Sequence, residues 1–309
     1  MNGAVLVGVV SLVVVAAVGL AAVVTAPQWR EPSWWRSTRH RTSVVLDTAV
    51  EQLGRLVTAF VVVLAGGGLV VAVLWPVGWP IKLTEQSFDV PVYEWWVARV
   101  ADAPGWWSRS WLTLTNIGGL TQTQTLTAVF AVVLAVLWRV LWRRRQWWVP
   151  LVVLPVGYVL EKTLQDLLKL VVDRGHPPTT LGSFPSGGCA RVVLVYGLIV
   201  FLLLWGARVR DRRVWVAGGA FVAVCATIQA YARTFNLEHW VTDVAAGLVF
   251  GLMLLVTMVV TVVVLDRDAP RQDVPRRDVP RRDEVASHEA PAHHDSDGDD
   301  ERVSERVAR

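Results

Sequence analysis

Several stretches of this 309-residue chain run almost without charge for the ~18 residues or more that a helix needs to cross a bilayer. With 53% hydrophobic residues and a mean hydropathy of +0.43, they exclude a soluble enzyme. The fold class expected is all-α, a polytopic membrane helix bundle with a six-helix core and one extra transmembrane helix before it. The formal charge of +4 is not the footprint of a nucleic-acid partner, because the arginines cluster beside the apolar runs, where the orientation rule for membrane proteins places them. Cys189 and Cys225 both lie inside apolar stretches and offer neither a disulfide nor a metal framework.

Residues 4–25 have no basic residue before them, which favours an uncleaved span over a signal sequence. The first unit is therefore 1–26. The connector 27–55 carries Arg30, Arg36, Arg39, Arg41 and Arg55 and reads as cytoplasmic. The membrane domain proper is expected over 56–265, with spans near 56–77, 120–141, 147–168, 187–207, 214–230 and 240–265. Gly66, Gly67 and Gly68 lie mid-span, where small residues let a neighbouring helix come close. Residues 79–119, rich in tryptophan, read as an amphipathic connection in the outer interface. The arginine-rich turns after Leu141 and Ala207 then fall on one side, and the 17 tryptophans gather near span ends or in that connection. Residues 266–309 repeat Asp-Val-Pro-Arg-Arg and end in an acidic, histidine-bearing segment, the composition of a disordered cytoplasmic tail.

Three polar islands are left on the opposite, outer side. The third, Tyr231 to Asp243, interrupts one of the longest apolar regions. Continued as a helix, it puts His239 and Asp243 on one face, so that the carboxylate holds one ring nitrogen and frees the other. An imidazole held so is a nucleophile, and Arg233 offers a guanidinium fork that suits phosphate. The plainer reading of this island alone is a helix end at a membrane surface. The first island, Lys169 to Pro178, places Lys169 and Arg174 where a helix leaves the membrane, with Glu161, Lys162, Gln165 and Asp166 pairing along that helix. The second, Phe184 to Arg191, has Ser186 as a good N-cap, backbone donors such as that of Gly187 at a helix start, and Arg191 one turn inside, where a buried cation is costly.

In order, spacing and topology these islands resemble the type 2 phosphatidic acid phosphatase (PAP2) family, membrane relatives of the vanadium haloperoxidases, whose pattern is K-x6-R-P, then P-S-G-H, then S-R-x5-H-x3-D. The chain has Lys169-x6-His176-Pro177, Pro185-Ser186-Gly187-Gly188 and Ala232-Arg233-x5-His239-x3-Asp243. The resemblance implies His239 as nucleophile, Asp243 as the group that orients it, and Lys169 and Arg233 on the phosphate, with hydrogen bonds from Ser186 and Gly187. It also implies a metal-free, cofactor-free hydrolysis through phosphohistidine.

The chain departs from that pattern at His176 for the first-motif arginine, Gly188 for the second-motif histidine, and Ala232 for the third-motif serine. Apart from His40 in the connector and three tail histidines, only His176 and His239 are present. The expectation is an exchange, with His176 donating the proton and Arg191 or Arg174 supplying the lost guanidinium. The alternative is a site that binds a lipid phosphate without efficient turnover. A transporter or channel fits less well, since the charges gather at one face instead of lining a path. The partners expected are the bilayer and a lipid or polyprenyl phosphate. The setting expected is the cell membrane, crossed many times, with the site outside and the tail inside.

Overall fold

Inside hydrocarbon a backbone has only itself to hydrogen-bond with, so runs as apolar as these are stable as helices. The computed structural model describes residues 2–28, 32–178 and 184–267, without the side chains of 34–36. The described residues belong to one unit, and every regular element in them is helical. The expected tail lies outside the described residues beyond Arg267.

The chain runs α1 (Gly3–Thr25), α2 (Ser33–Leu53), α3 (Arg55–Leu83), α4 (Val90–Val100), α5 (Gly105–Leu114), α6 (Leu120–Val136), α7 (Val149–Val172), α8 (Gly187–Arg191), α9 (Gly197–Gly206), α10 (Arg212–Phe235) and α11 (Val241–Asp266). A π-turn at Val192–Tyr196 joins α8 to α9, so that Gly187–Gly206 forms one membrane-length rod. Among the described residues, six helical segments are long and apolar enough to cross a bilayer: 3–28, 55–83, 120–141, 187–206, 212–235 and 241–266. The seventh expected span, α7, has 24 residues but also Glu161, Lys162, Asp166 and Lys169, and their charge takes it out of that class. The protein is a multi-pass membrane helix bundle.

The core is built on α11, which packs most extensively on α3 and also on α7 and α8. Gly66 permits the α3 approach, because a Cβ there would run into the Thr257 side chain of α11. The extra helix α1 lies along α10. At one end of the bundle, Asp266 accepts from Arg144 at 2.7 Å and from the Trp205 indole at 2.8 Å, and Arg267 pairs with Asp47 at 2.6 Å. The ends of α2, α6, α9 and α11 therefore meet there, as the arginine-rich turns required.

At the other end lies the connection 79–119, which the sequence suggests as an interfacial segment. It folds into α4 and α5 and packs Trp96, Trp107 and Trp111 around Tyr231 and Phe235 of α10, with ring centroids of Trp111 and Tyr231 4.3 Å apart. The Tyr231 hydroxyl donates to the Ala4 carbonyl at 2.7 Å and accepts from the Trp107 indole at 3.1 Å. The start of α1 and the body of α5 are thus fixed to the last turns of α10, two residues from Arg233.

Candidate functional site

At this end the polar islands come together. The turn Asn236–Trp240 carries His239 between α10 and α11, and its ring is buried. The sequence placed His239 inside a helix, but α11 starts at Val241 with Trp240 as its N-cap, so His239 stands just ahead of the helix. Asp243 still faces it, with its Oδ2 3.8 Å from His239 Nδ1. Nε2 is the ring nitrogen turned away from that carboxylate. Burial pushes the imidazole below its ordinary 6.5, Asp243 pulls it back up, and the charges of Arg233 and Lys169 add to the downward push. Cations from α10 and α7 are therefore close enough to act on this ring.

Lys169 and the second island are joined by Gln165. With its amide oxygen turned toward them, Gln165 accepts from the Gly187 N–H at 2.9 Å and from the Lys169 ammonium at 3.3 Å. The Gly187 donor expected for a ligand is thus used within the protein. Ser186 occupies the N-cap position of α8, yet its hydroxyl does not cap the helix. The hydroxyl is fully buried, and the Ser186 N–H donates to the Asp243 carbonyl at 3.0 Å. Arg191 reaches inward: its Nε donates to the Gly118 carbonyl at 3.2 Å and its Nη1 lies 3.5 Å from Glu161, which is fully buried. Glu161 therefore neutralises a cation of the neighbouring helix, while the expected Lys162–Asp166 pair does form along α7.

Arg233 is ion-paired with Glu238, and its Nε has no hydrogen-bond partner. Gly188 explains how it fits. A Cβ at position 188 would stand 2.8 Å from Arg233 Nε and 2.8 Å from Gln229 Nε2, so α8 approaches α10 through a glycine where the resemblance has a histidine. Arg233 and Gln229 occupy the room that a side chain there would need. His176, the histidine gained, is exposed on the loop after α7, with Nδ1 2.8 Å from the Pro177 carbonyl. Its neighbour Gly175 accepts from the Trp240 indole at 3.1 Å, which ties that loop beside the residue following His239.

Arg174 departs furthest from expectation. Foreseen as a phosphate ligand, it is fully enclosed: Nε donates to Glu85 at 3.2 Å, Nη1 to Thr242 at 2.8 Å and to Asp243 Oδ1 at 2.6 Å, and Nη2 to Asp89. A guanidinium with three carboxylates around it has no fork left for an anion. The sequence reading missed Glu85, Asp89, Thr242, Gln229 and Gly118. Its one available hint was the Glu85–Asp89 spacing, two acids a helical turn apart beside a span end.

Among the described residues, seven buried side-chain polar atoms lack a hydrogen-bond partner, and five of them are Ser186 Oγ, Gln229 Nε2, Arg233 Nε, His239 Nδ1 and Asp243 Oδ2. These five lie at one end of the bundle, where His239 Nδ1 and Asp243 Oδ2 face each other and the Ser186, Gln229 and Arg233 atoms are donors not used within the protein. No group of ligating side chains suited to a metal is present among the described residues.

The fold and this cluster define a multi-pass α-helical membrane protein with an imidazole, a carboxylate and converging cations at one end. Residues 162–267, which carry nearly all of that cluster, match the model of the PAP2 superfamily. No curated protein matches the chain. Among solved structures it is similar to a transmembrane PAP2 type phosphatidylglycerolphosphate phosphatase from Bacillus subtilis, with 19% identity over 68% of this chain and 94% of that one and a TM-score of 0.47.

Proposed function

We propose that the protein is a lipid-phosphate phosphatase working at the outer membrane face through a phosphohistidine intermediate. The observation that carries this reading is the buried His239, with Asp243 Oδ2 facing Nδ1 at 3.8 Å and the unpartnered donors of Arg233 and Ser186 gathered at the same end. His239 Nε2 attacks the terminal phosphorus and the N–P bond forms as the P–O bond to the leaving oxygen breaks; that oxygen, the lipid ester oxygen of a monophosphate or the bridging oxygen of a diphosphate, leaves with a proton. Water then attacks the phosphohistidine and releases inorganic phosphate with a neutral His239. Arg233 and Lys169 stabilise the charge on the transferring phosphoryl oxygens. Substrates of suitable chemistry are phosphatidate, phosphatidylglycerol phosphate and polyprenyl phosphates or diphosphates, whose chains stay in the bilayer. The test is phosphate release by purified protein across that panel, with vanadate as inhibitor; no release from any member defeats the reading.

The nucleophile must be neutral to attack, which fixes a pH dependence. Since burial lowers the His239 value below 6.5, the neutral form persists below that pH, and the acid limb of kcat/KM is expected to have its midpoint under pH 6.5. A midpoint above 6.5 contradicts the assignment.

The proton for the leaving oxygen is assigned to His176, since Gly188 has no side chain and the His176 loop is tied beside His239 through Trp240. His176→Ala is expected to slow turnover by about 10²- to 10⁴-fold. Unchanged phosphate release removes His176 from the reaction. A second reading, binding without efficient turnover, is favoured by the exposure of His176 and the filled space at Gly188. Vanadate or lipid phosphate bound by a protein that releases no phosphate would establish it.

A further inference from the structure

The helix that carries Asp243 begins without a cap of its own. The Trp240 side chain makes no capping hydrogen bond, so the first N–H groups of α11 need partners from elsewhere. Asp89, on the π-turn between α3 and α4, supplies one of them: Oδ1 accepts from the Thr242 N–H at 3.2 Å, and Oδ2 accepts from the Thr242 hydroxyl at 2.8 Å. The same carboxylate is paired with Arg174 Nη2, while Arg174 Nη1 holds Thr242 Oγ1 and Asp243 Oδ1. Each of these bonds constrains the next. Asp89 fixes Arg174 and the helix start together, Arg174 fixes one oxygen of Asp243, and the other oxygen, Oδ2, is left facing His239.

We propose that Asp89 and Arg174 are positioning residues for the proposed nucleophile: they aim the Asp243 carboxylate at His239, and the turn between α3 and α4 is thereby a working part of the site. The inference rests on the role given to His239 above. Its chemistry is that of a relay of oriented hydrogen bonds, in which Asp89 and Arg174 touch no substrate. Asp89 and Asp243 are fully buried and Glu85 is mostly so, which gives the guanidinium strong reason to keep one geometry. Other charged groups act on the imidazole from two further helices, Arg233 from α10 and Lys169 from α7, and neither is altered by the test.

The test uses the full chain in lipid–detergent micelles with ¹⁵N-labelled histidine, the His239 signal being the one lost in His239→Gln. Asp89→Asn and Thr242→Val are compared with wild type and Asp243→Asn, each first shown to remain folded by thermal unfolding. Thr242→Val changes no charge, so it separates aim from simple electrostatics. Both variants are expected to lower the midpoint of the His239 titration in the direction of Asp243→Asn. They are also expected to lower kcat for phosphate release by about 100-fold while KM stays within a factor of about three. A His239 titration that is unchanged or raised in folded Thr242→Val overturns the proposal, as does a loss expressed in KM alone, which would make Arg174 a substrate ligand. If wild type releases no phosphate, the phosphatase reading fails by itself and the titration still decides the positioning role. If Asp89→Asn does not fold, Thr242→Val and Glu85→Gln carry the comparison, the latter with a smaller shift of the same sign.

Discussion

His239→Ala is expected to abolish phosphate release, a loss on the order of 10⁴-fold or more, because no other imidazole is held beside a carboxylate among the described residues. The measurement is single-turnover phosphate release from the most active lipid of the panel. Truncation to Ala empties the space of a buried ring, so His239→Gln, which fills most of it, is measured beside it. A variant that unfolds at nearly the wild-type temperature yet turns over no substrate assigns the loss to chemistry. Acid-labile radiolabel from a ³²P-lipid, present in wild type and missing in His239→Ala, would identify the intermediate. Residual turnover within a factor of ten of wild type would mean that another group attacks phosphorus.

Much of this bundle was legible in the sequence, for a physical reason. Apolar length and arginine placement are read by the bilayer itself, so the spans at 56–77, 120–141 and 240–265 needed no tertiary knowledge, and the meeting of Arg144 with Asp266 follows from their being on one side. The i, i+4 relation of His239 and Asp243 was legible too, because it is local. What the sequence could not show is where a charge finds its counter-charge. Glu161 was read as pairing along its own helix, yet it faces Arg191 across a helix interface. Arg174 stood next to a recognisable motif, yet its partners Glu85 and Asp89 lie some ninety residues earlier, in a stretch whose tryptophans suggested only an interface. Buried cations are costly without partners, which said that Arg174 and Arg191 must be satisfied but not by what. The partner of the Thr242 N–H at the start of α11 was likewise hidden, because Asp89 lies far away in the chain.

Arg174→Leu separates a structural hub from a phosphate ligand. Removing the guanidinium leaves Glu85, Asp89 and Asp243 facing one another with no cation between them, and breaking a buried pair in this way costs about 3–5 kcal/mol. The expected result is a large drop in thermal midpoint in detergent at pH 8. Arg233→Leu provides the contrast. Its partner Glu238 is partly exposed, so the stability cost should be small, while kcat/KM should fall steeply because Arg233 is the guanidinium assigned to the phosphoryl oxygens. The opposite pattern, a stable Arg174→Leu with raised KM and an unfolded Arg233→Leu, would exchange the two roles. Arg174→Lys should fall between: it keeps the charge, but one ammonium cannot reach Glu85, Asp89 and Asp243 in the planar geometry that the guanidinium uses.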